Sequence, residues 1–240
     1  MGLYAYQQQT ELLLSDVRQL TFNTGDLQTW INIARRQLAG EAACIRRIGS
    51  LALVASQQVY NFSSITISDS TGIGNVLNVR TAWIVAGSGQ LWIRPRSFKW
   101  FSLYELNNSN PQEARPEVWA QFGQGVSGTI YFSNVPDSDY TVNLDCTCLP
   151  INLASNTDTE TIPDLWTDAI PYFAAYLAVL SSQIPNRHDM AQKFMDLYME
   201  FTGRARRFAT PDVLPGIYDQ TSNVTRQNQL GLRPVRAQGV

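Results

Sequence analysis

The chain has 240 residues, 44% hydrophobic and 16% charged, with a formal net charge of −2. That length supports one sizeable core or two small ones. The missing positive excess argues against a general binder of nucleic acid or membrane surfaces. The first residues show no basic start followed by an apolar run, so no secretory signal is expected. No stretch approaches the roughly 18–20 apolar residues of a membrane span. Three cysteines, Cys44, Cys146 and Cys148, form an odd and sparse set. Cys146 and Cys148 lie two apart in a strand-like stretch and share a face, which places them poorly for bridging each other. The thiols are read as free, in a reducing compartment at synthesis.

Residues 1–9 read as a polar lead-in. From Thr10, Leu13, Val17 and Leu20 predict a short helix. Phe22-Asn-Thr-Gly25 then turns the chain into a long helix over residues 23–47, whose stripe is Leu27, Trp30, Ile31, Ala34, Leu38, Ala42 and Ile45. Asn23 or Thr24 is suited to cap it and Asp26 to face the positive end of its dipole. Gln28, Asn32, Arg35, Arg36, Gln37 and Glu41 are assigned to its opposite, polar face, with Arg46 and Arg47 closing it. Two helices joined by so short a turn should pack as a hairpin.

After Gly49 the period shortens to two. Leu51, Leu53, Tyr60, Phe62, Ile65 and Ile67 begin a β-rich segment over about 50–150, with strands expected at 76–85, 90–94, 129–133 and 140–149. A short helix is expected at 102–107, and residues 115–119 read as an extended connector because Pro116 restricts its neighbour. Helical period returns with Leu165, Trp166, Ile170, Phe173, Ala174, Leu177 and Leu180. Pro171 favours a helix that starts just before it, with Thr167 as the cap. After a break at Pro185-Asn186 a last helix spans 189–208, with Met190, Phe194, Leu197, Tyr198 and Phe201 inward. Beyond residue 210 a Gln/Asn/Thr-rich tail has little means of forming a core. From Arg204 onward six arginines face only Asp212 and Asp219, the one clear charge asymmetry.

The fold class that follows is α+β. N- and C-terminal helical hairpins (about 10–47 and 164–208) form a four-helix bundle, a small antiparallel sheet or sandwich is inserted, and residues 211–240 form an extended C-terminal arm. The helical core residues are Leu27, Trp30, Ile31, Ala34, Leu38, Phe173, Leu177, Phe194 and Leu197.

Catalytic constellations are not evident. The single histidine, His188, reads as an exposed or capping residue, and no serine sits in a nucleophile-elbow context. Cys146 and Cys148 with Asp145 are better read as small buried residues than as metal ligands. Asp158 and Glu160 read as a solvated acidic loop, which leaves a cell-wall hydrolase without its carboxylate pair. Gly72-Ile-Gly74 and Gly123-Gln-Gly125 read as turns. Trp83, Trp92, Trp100 and Trp119, with Arg94, Arg96 and Lys99 nearby, offer a faint version of a base-stacking surface. No cofactor and no catalytic or metal site is expected. An aromatic surplus with a polar terminal tail suits an assembly component better than an enzyme.

Three stretches, in order, resemble one family. Leu27-Gln-Thr-Trp-Ile-Asn-Ile-Ala-Arg-Arg-Gln-Leu38, Gln57-Gln-Val-Tyr60 and Pro163-Asp-Leu-Trp-Thr-Asp-Ala-Ile-Pro-Tyr-Phe-Ala-Ala-Tyr-Leu-Ala178 look like the second helix, the turn into the β region and the third helix of head-to-tail adaptor (connector) proteins of tailed bacteriophages. Those proteins are related in fold to the tail tubular A proteins. The resemblance implies a non-enzymatic virion protein at the head–tail junction, assembled in the host cytoplasm. It implies a ring of identical subunits, typically twelve, that joins the portal to the tail nozzle or other tail proteins. Packaged DNA would pass through the lumen without specific binding. Residues 1–210 would be a single adaptor domain. The arm would grip the portal through Arg226, Arg233 and Arg236, with Leu230, Leu232 and Val235 as apolar anchors. An alternative from another class is a nucleic-acid-binding module that acts through the arginine-rich tail.

Overall fold

The computed structural model describes residues 2–16, 21–86, 89–106, 112–182 and 187–208. Its centre is a mixed eight-stranded sheet: β1 (Arg46–Leu53), β2 (Val59–Asn61), β3 (Thr66–Ile67), β4 (Ile73–Ala86), β5 (Gly89–Pro95), β6 (Val118–Phe122), β7 (Thr129–Ser133) and β8 (Tyr140–Pro150). The strand order is β2-β7-β6-β5-β4-β8-β1-β3, and the sheet is curled. All pairings are antiparallel except β5 with β6. The helices are α1 (Leu3–Leu14), α2 (Thr24–Ala42), α3 (Phe98–Tyr104), α4 (Asp164–Thr167), α5 (Ile170–Ser181) and α6 (Arg187–Phe208).

The expected four-helix bundle with a small inserted sheet is therefore wrong. The sheet is the large element, and the helices cover part of it. β8 supplies the reason: Val142, Leu144, Cys146 and Cys148 alternate on one face and are fully buried. α2 lies along β8, and α1, α2 and α5 pack on one another. α6 leans on this layer through long aromatic side chains, with Phe173 and Tyr198 ring centroids 4.9 Å apart and Tyr172 stacked on Phe201 at 4.9 Å. On α5, Ala174, Ala175 and Ala178 are fully buried, and such small residues let neighbouring helices approach closely.

Several boundaries move for identifiable reasons. α1 starts at Leu3, not Thr10, because its buried face carries Tyr6, Gln7, Thr10 and Glu11 beside Leu3 and Leu14, and those polar members mask the period. α2 is capped as expected by Asn23, whose side chain accepts from the Asp26 N–H at 2.8 Å. It ends at Ala42, where Ala43 turns left-handed, so Arg46 and Arg47 do not close a helix but open β1 opposite Thr147 and Cys146. Residues 118–119 are not connector. They begin β6, whose first three residues are all buried and so lack the alternation that betrays a strand. α3 begins at Phe98, capped by the Ser97 hydroxyl, rather than at 102. Pro171 sits in the first turn of α5, but Thr167 belongs to the separate short α4 and bonds the Asp164 carbonyl instead of capping α5. Val17, Leu20, the Pro185-Asn186 break and the 211–240 arm lie outside the described residues.

Gly72 illustrates a close approach the fold requires. Its φ is +68°, and a Cβ there would lie 2.2 Å from Thr161 Cγ2. Its carbonyl accepts from the Ile151 N–H at 3.0 Å. Gly72→Ala should lower stability by about 1–2 kcal/mol from backbone conformation alone, with the clash adding to it. Gly125, at φ +62° with open space around it, is the control. Urea midpoints should fall further for Gly72→Ala than for Gly125→Ala; equal shifts would show that the contact with Thr161 does not matter.

Candidate functional site

The most concentrated polar chemistry is a buried clasp. Arg35 is part of α2, and its Nε and Nη2 donate to the two Glu160 oxygens at 2.9 and 2.7 Å. The side chains are 1% and 4% exposed. Glu160 also accepts from the Tyr6 hydroxyl at 2.9 Å and from the Thr161 and Ile162 N–H groups at 2.8 and 3.0 Å. Arg35 Nη1 donates to the Ile151 carbonyl at 2.7 Å and to Asn32 Oδ1 at 3.2 Å. Asn32 in turn holds Leu153 by both its N–H and its carbonyl. Burial alone would raise the Glu160 carboxyl, but the bonds and charge of Arg35, the Ile162 N–H and the Tyr6 hydroxyl outweigh it and hold it below its ordinary value. Burial first, then the Glu160 charge, push the Tyr6 hydroxyl up.

This corrects two readings. Glu160 is not in a solvated acidic loop, whereas Asp158 is half-buried and caps the Ala154 and Ser155 N–H groups. Asn32 and Arg35 are not on an exposed polar face. Arg35 falls between Ala34 and Leu38 and one turn beyond Ile31, inside the apolar arc, and that placement was the available signal. The clasp joins α1, α2 and the 151–162 segment, and all its charged atoms are satisfied, so its chemistry is structural.

The remaining candidates separate cleanly. His188 is exposed in the first turn of α6. Cys146 and Cys148 are free and buried, with burial pushing their thiols up to about 12 and about 11, while Asp145 points to the other face and pairs with Arg46. Among the described residues no group of His, Cys, Asp and Glu could hold a metal ion. Within them no helix is long and apolar enough to cross a membrane. Of the helical core set, Leu27, Ile31, Ala34, Leu38, Phe173 and Phe194 are buried, and Trp30, Leu177 and Leu197 are half-buried. Arg226, Leu230, Leu232, Arg233, Val235 and Arg236 lie outside the described residues.

Among the exposed apolar side chains of the described residues, two surfaces bear on assembly. The first is the end of the β4–β5 hairpin. β4 pairs with β8 only as far as Ile84, and β5 meets β6 only from Arg94, so the residues between are held by each other alone. Val85 and Trp92 are 54% and 61% exposed, and Trp92 rests on Trp83 with centroids 5.1 Å apart. Arg94 shares the Trp92 face by strand alternation, and its only ion pair among the described residues is an exposed one to Glu117 at 3.3 Å. The second is a groove of about 460 Å³ between α1, α5 and α6, lined by Leu12, Leu13, Pro171, Tyr172 and Phe201 with Gln9 and Asp168. Leu12 is 66% exposed, and the Asp168 carboxylate has no partner among the described residues. Of the four tryptophans singled out, Trp119 is buried in β6, and Trp100 is half-buried beneath Arg96, whose guanidinium lies 5.6 Å from its ring.

A polar network spent on holding elements together, with aromatic side chains turned outward, is the layout of a protein built for assembly. The chain belongs to the SU10 adaptor protein family, whose family model matches residues 7–221. It is a bacteriophage adaptor, a structural component of the virion. A search of curated proteins finds no match.

Proposed function

We propose that the chain forms an oligomeric ring, of twelve copies, that joins the portal at the capsid vertex to the tail and extends the DNA channel. The observation that carries this reading is the family match over residues 7–221, to which the two exposed apolar surfaces give a physical use. The kinship with tail tubular A proteins belongs to the same proposal. Residues 1–210 act as the adaptor domain and 211–240 as an arm. Arg226, Arg233 and Arg236 pair with portal carboxylates, and Leu230, Leu232 and Val235 anchor the arm. A polar segment of this kind offsets its ordering entropy only by adding contacts on a large partner.

Deletion of residues 211–240 should leave a cooperatively unfolding protein that no longer co-sediments with portal rings. Native mass measurement of the full chain with portal should give the ring's copy number. Normal portal binding by the truncated chain would remove the arm from the proposal. Failure of the full chain to bind portal in any form would remove the proposal itself.

A further inference from the structure

We propose that the groove between α1, α5 and α6 receives the β4–β5 hairpin of a second copy of this chain, with Trp92 against the Tyr172–Phe201 floor and Arg94 facing Asp168. The inference rests on the ring reading and names the contact that would close the ring.

Both halves of the contact are present in one polypeptide, and they match in form and in charge. The hairpin end projects past its neighbours in the sheet, while the groove is concave. The projecting side carries a tryptophan with a cation two residues along, on the same face. The groove offers two stacked aromatic rings, with Arg204 over Phe201 and neutralised by Glu200, and at its edge a carboxylate with no partner among the described residues. An exposed Trp already braced by a second Trp loses little freedom on docking, which is what an interface anchor needs. The Arg94–Glu117 pair is exposed on both sides, so giving it up costs little, and Asp168 is itself exposed at the groove edge where it can take Glu117's place. The two surfaces also belong to different parts of the fold. β5 is separated from β8, the strand α2 covers, by β4. A knob in one region and a socket in another make a head-to-tail contact, the kind that generates rings when the rotation closes.

The test uses full-length chains assembled alone and on portal rings. Gln9→Cys and Gln90→Cys place thiols beside the groove and beside Trp92 without touching the anchors. When the two single variants are mixed, assembled, and treated with a short bifunctional maleimide, a cross-linked pair of chains is expected. Neither variant alone should give it. The single variants assembled alone also control for the native thiols, of which Cys44 is half-buried and Cys146 and Cys148 are buried. Trp92→Ala should weaken self-association on the order of 30-fold. Asp168→Arg or Arg94→Glu should each reduce the oligomer seen in native mass spectra, and the two together should restore it. Oligomers that form without the mixed cross-link, or a cross-link to portal in its place, would overturn this contact and leave the ring reading standing. If no oligomer appears alone or on portal, both fall together.

Discussion

Glu160→Ala should destabilise the protein by about 3–5 kcal/mol, because it strands the Arg35 guanidinium in a site where that side chain is 1% exposed. The loss does not stop at one ion pair. The Tyr6 hydroxyl and the Thr161 and Ile162 N–H groups lose their acceptor in the same step. Tyr6→Phe removes a single bond to a charged group and should cost about 1.5–3 kcal/mol. Denaturant unfolding should rank Glu160→Ala as the least stable, Tyr6→Phe next and the unaltered chain as the most stable. A smaller loss for Glu160→Ala than for Tyr6→Phe would show that water enters and replaces the clasp.

The same residue sets an acid limit. Its carboxyl is held below the ordinary value of 4.5, so its contribution is fully present above pH 4.5 and is lost as the pH falls through the lower, folded value. Glu160→Gln has no such proton to take up. Its unfolding free energy should therefore fall less steeply between pH 4.5 and pH 2 than that of the unaltered chain. Parallel slopes would mean that other carboxylates govern acid unfolding.

Ile31→Ala should cost about 2–5 kcal/mol, since Ile31 is fully buried on the face α2 turns to the rest of the helical layer. Two positions along the same helix, Ile33 is 36% exposed, and Ile33→Ala should stay within about 0.5 kcal/mol of the unaltered protein. The pair removes the same atoms from the same helix and isolates burial as the cause. Comparable losses at both sites would mean that α2 is stabilised by helix propensity rather than by packing. α2 packs on α1, on α5 and on β8, so the side chains that replace Ile31 in a design must keep its volume.

How much of this could be read beforehand follows from where local and non-local forces agree. The stripe Leu27, Ile31, Ala34 and Leu38 is a local signal, and so is the cap at Asn23. The alternation that marks β8 is equally local, and its expected bounds differ from the observed ones by a single residue. What escaped depends on partners far along the chain. α1 begins seven residues early because Tyr6 and Thr10 look polar in isolation and are fully buried in the structure. β6 has no alternation, since both of its faces are covered at Val118, Trp119 and Ala120. The sheet's dominance over the helices is a matter of strand order, which periodicity does not encode. At the candidate site, Trp92 and Arg94 were visible only as a faint aromatic-basic cluster. The groove that suits them is formed by three helices from opposite ends of the chain.

That last feature bears on how the protein comes off the ribosome. Tyr6 must find Glu160, 154 residues later, and Glu41 must find Tyr198, 157 residues later. At about 5–20 residues per second, the opening helix waits on the order of ten seconds for its counterpart to be synthesised. α1 and α2 can meet each other and β8 in that interval, but the sides they turn to α5 stay uncovered because α5 does not yet exist. Such long-range closure makes for slow maturation with a sticky nascent intermediate. Such a polypeptide has reason to depend on chaperones, and refolding yield in their absence should fall steeply with concentration.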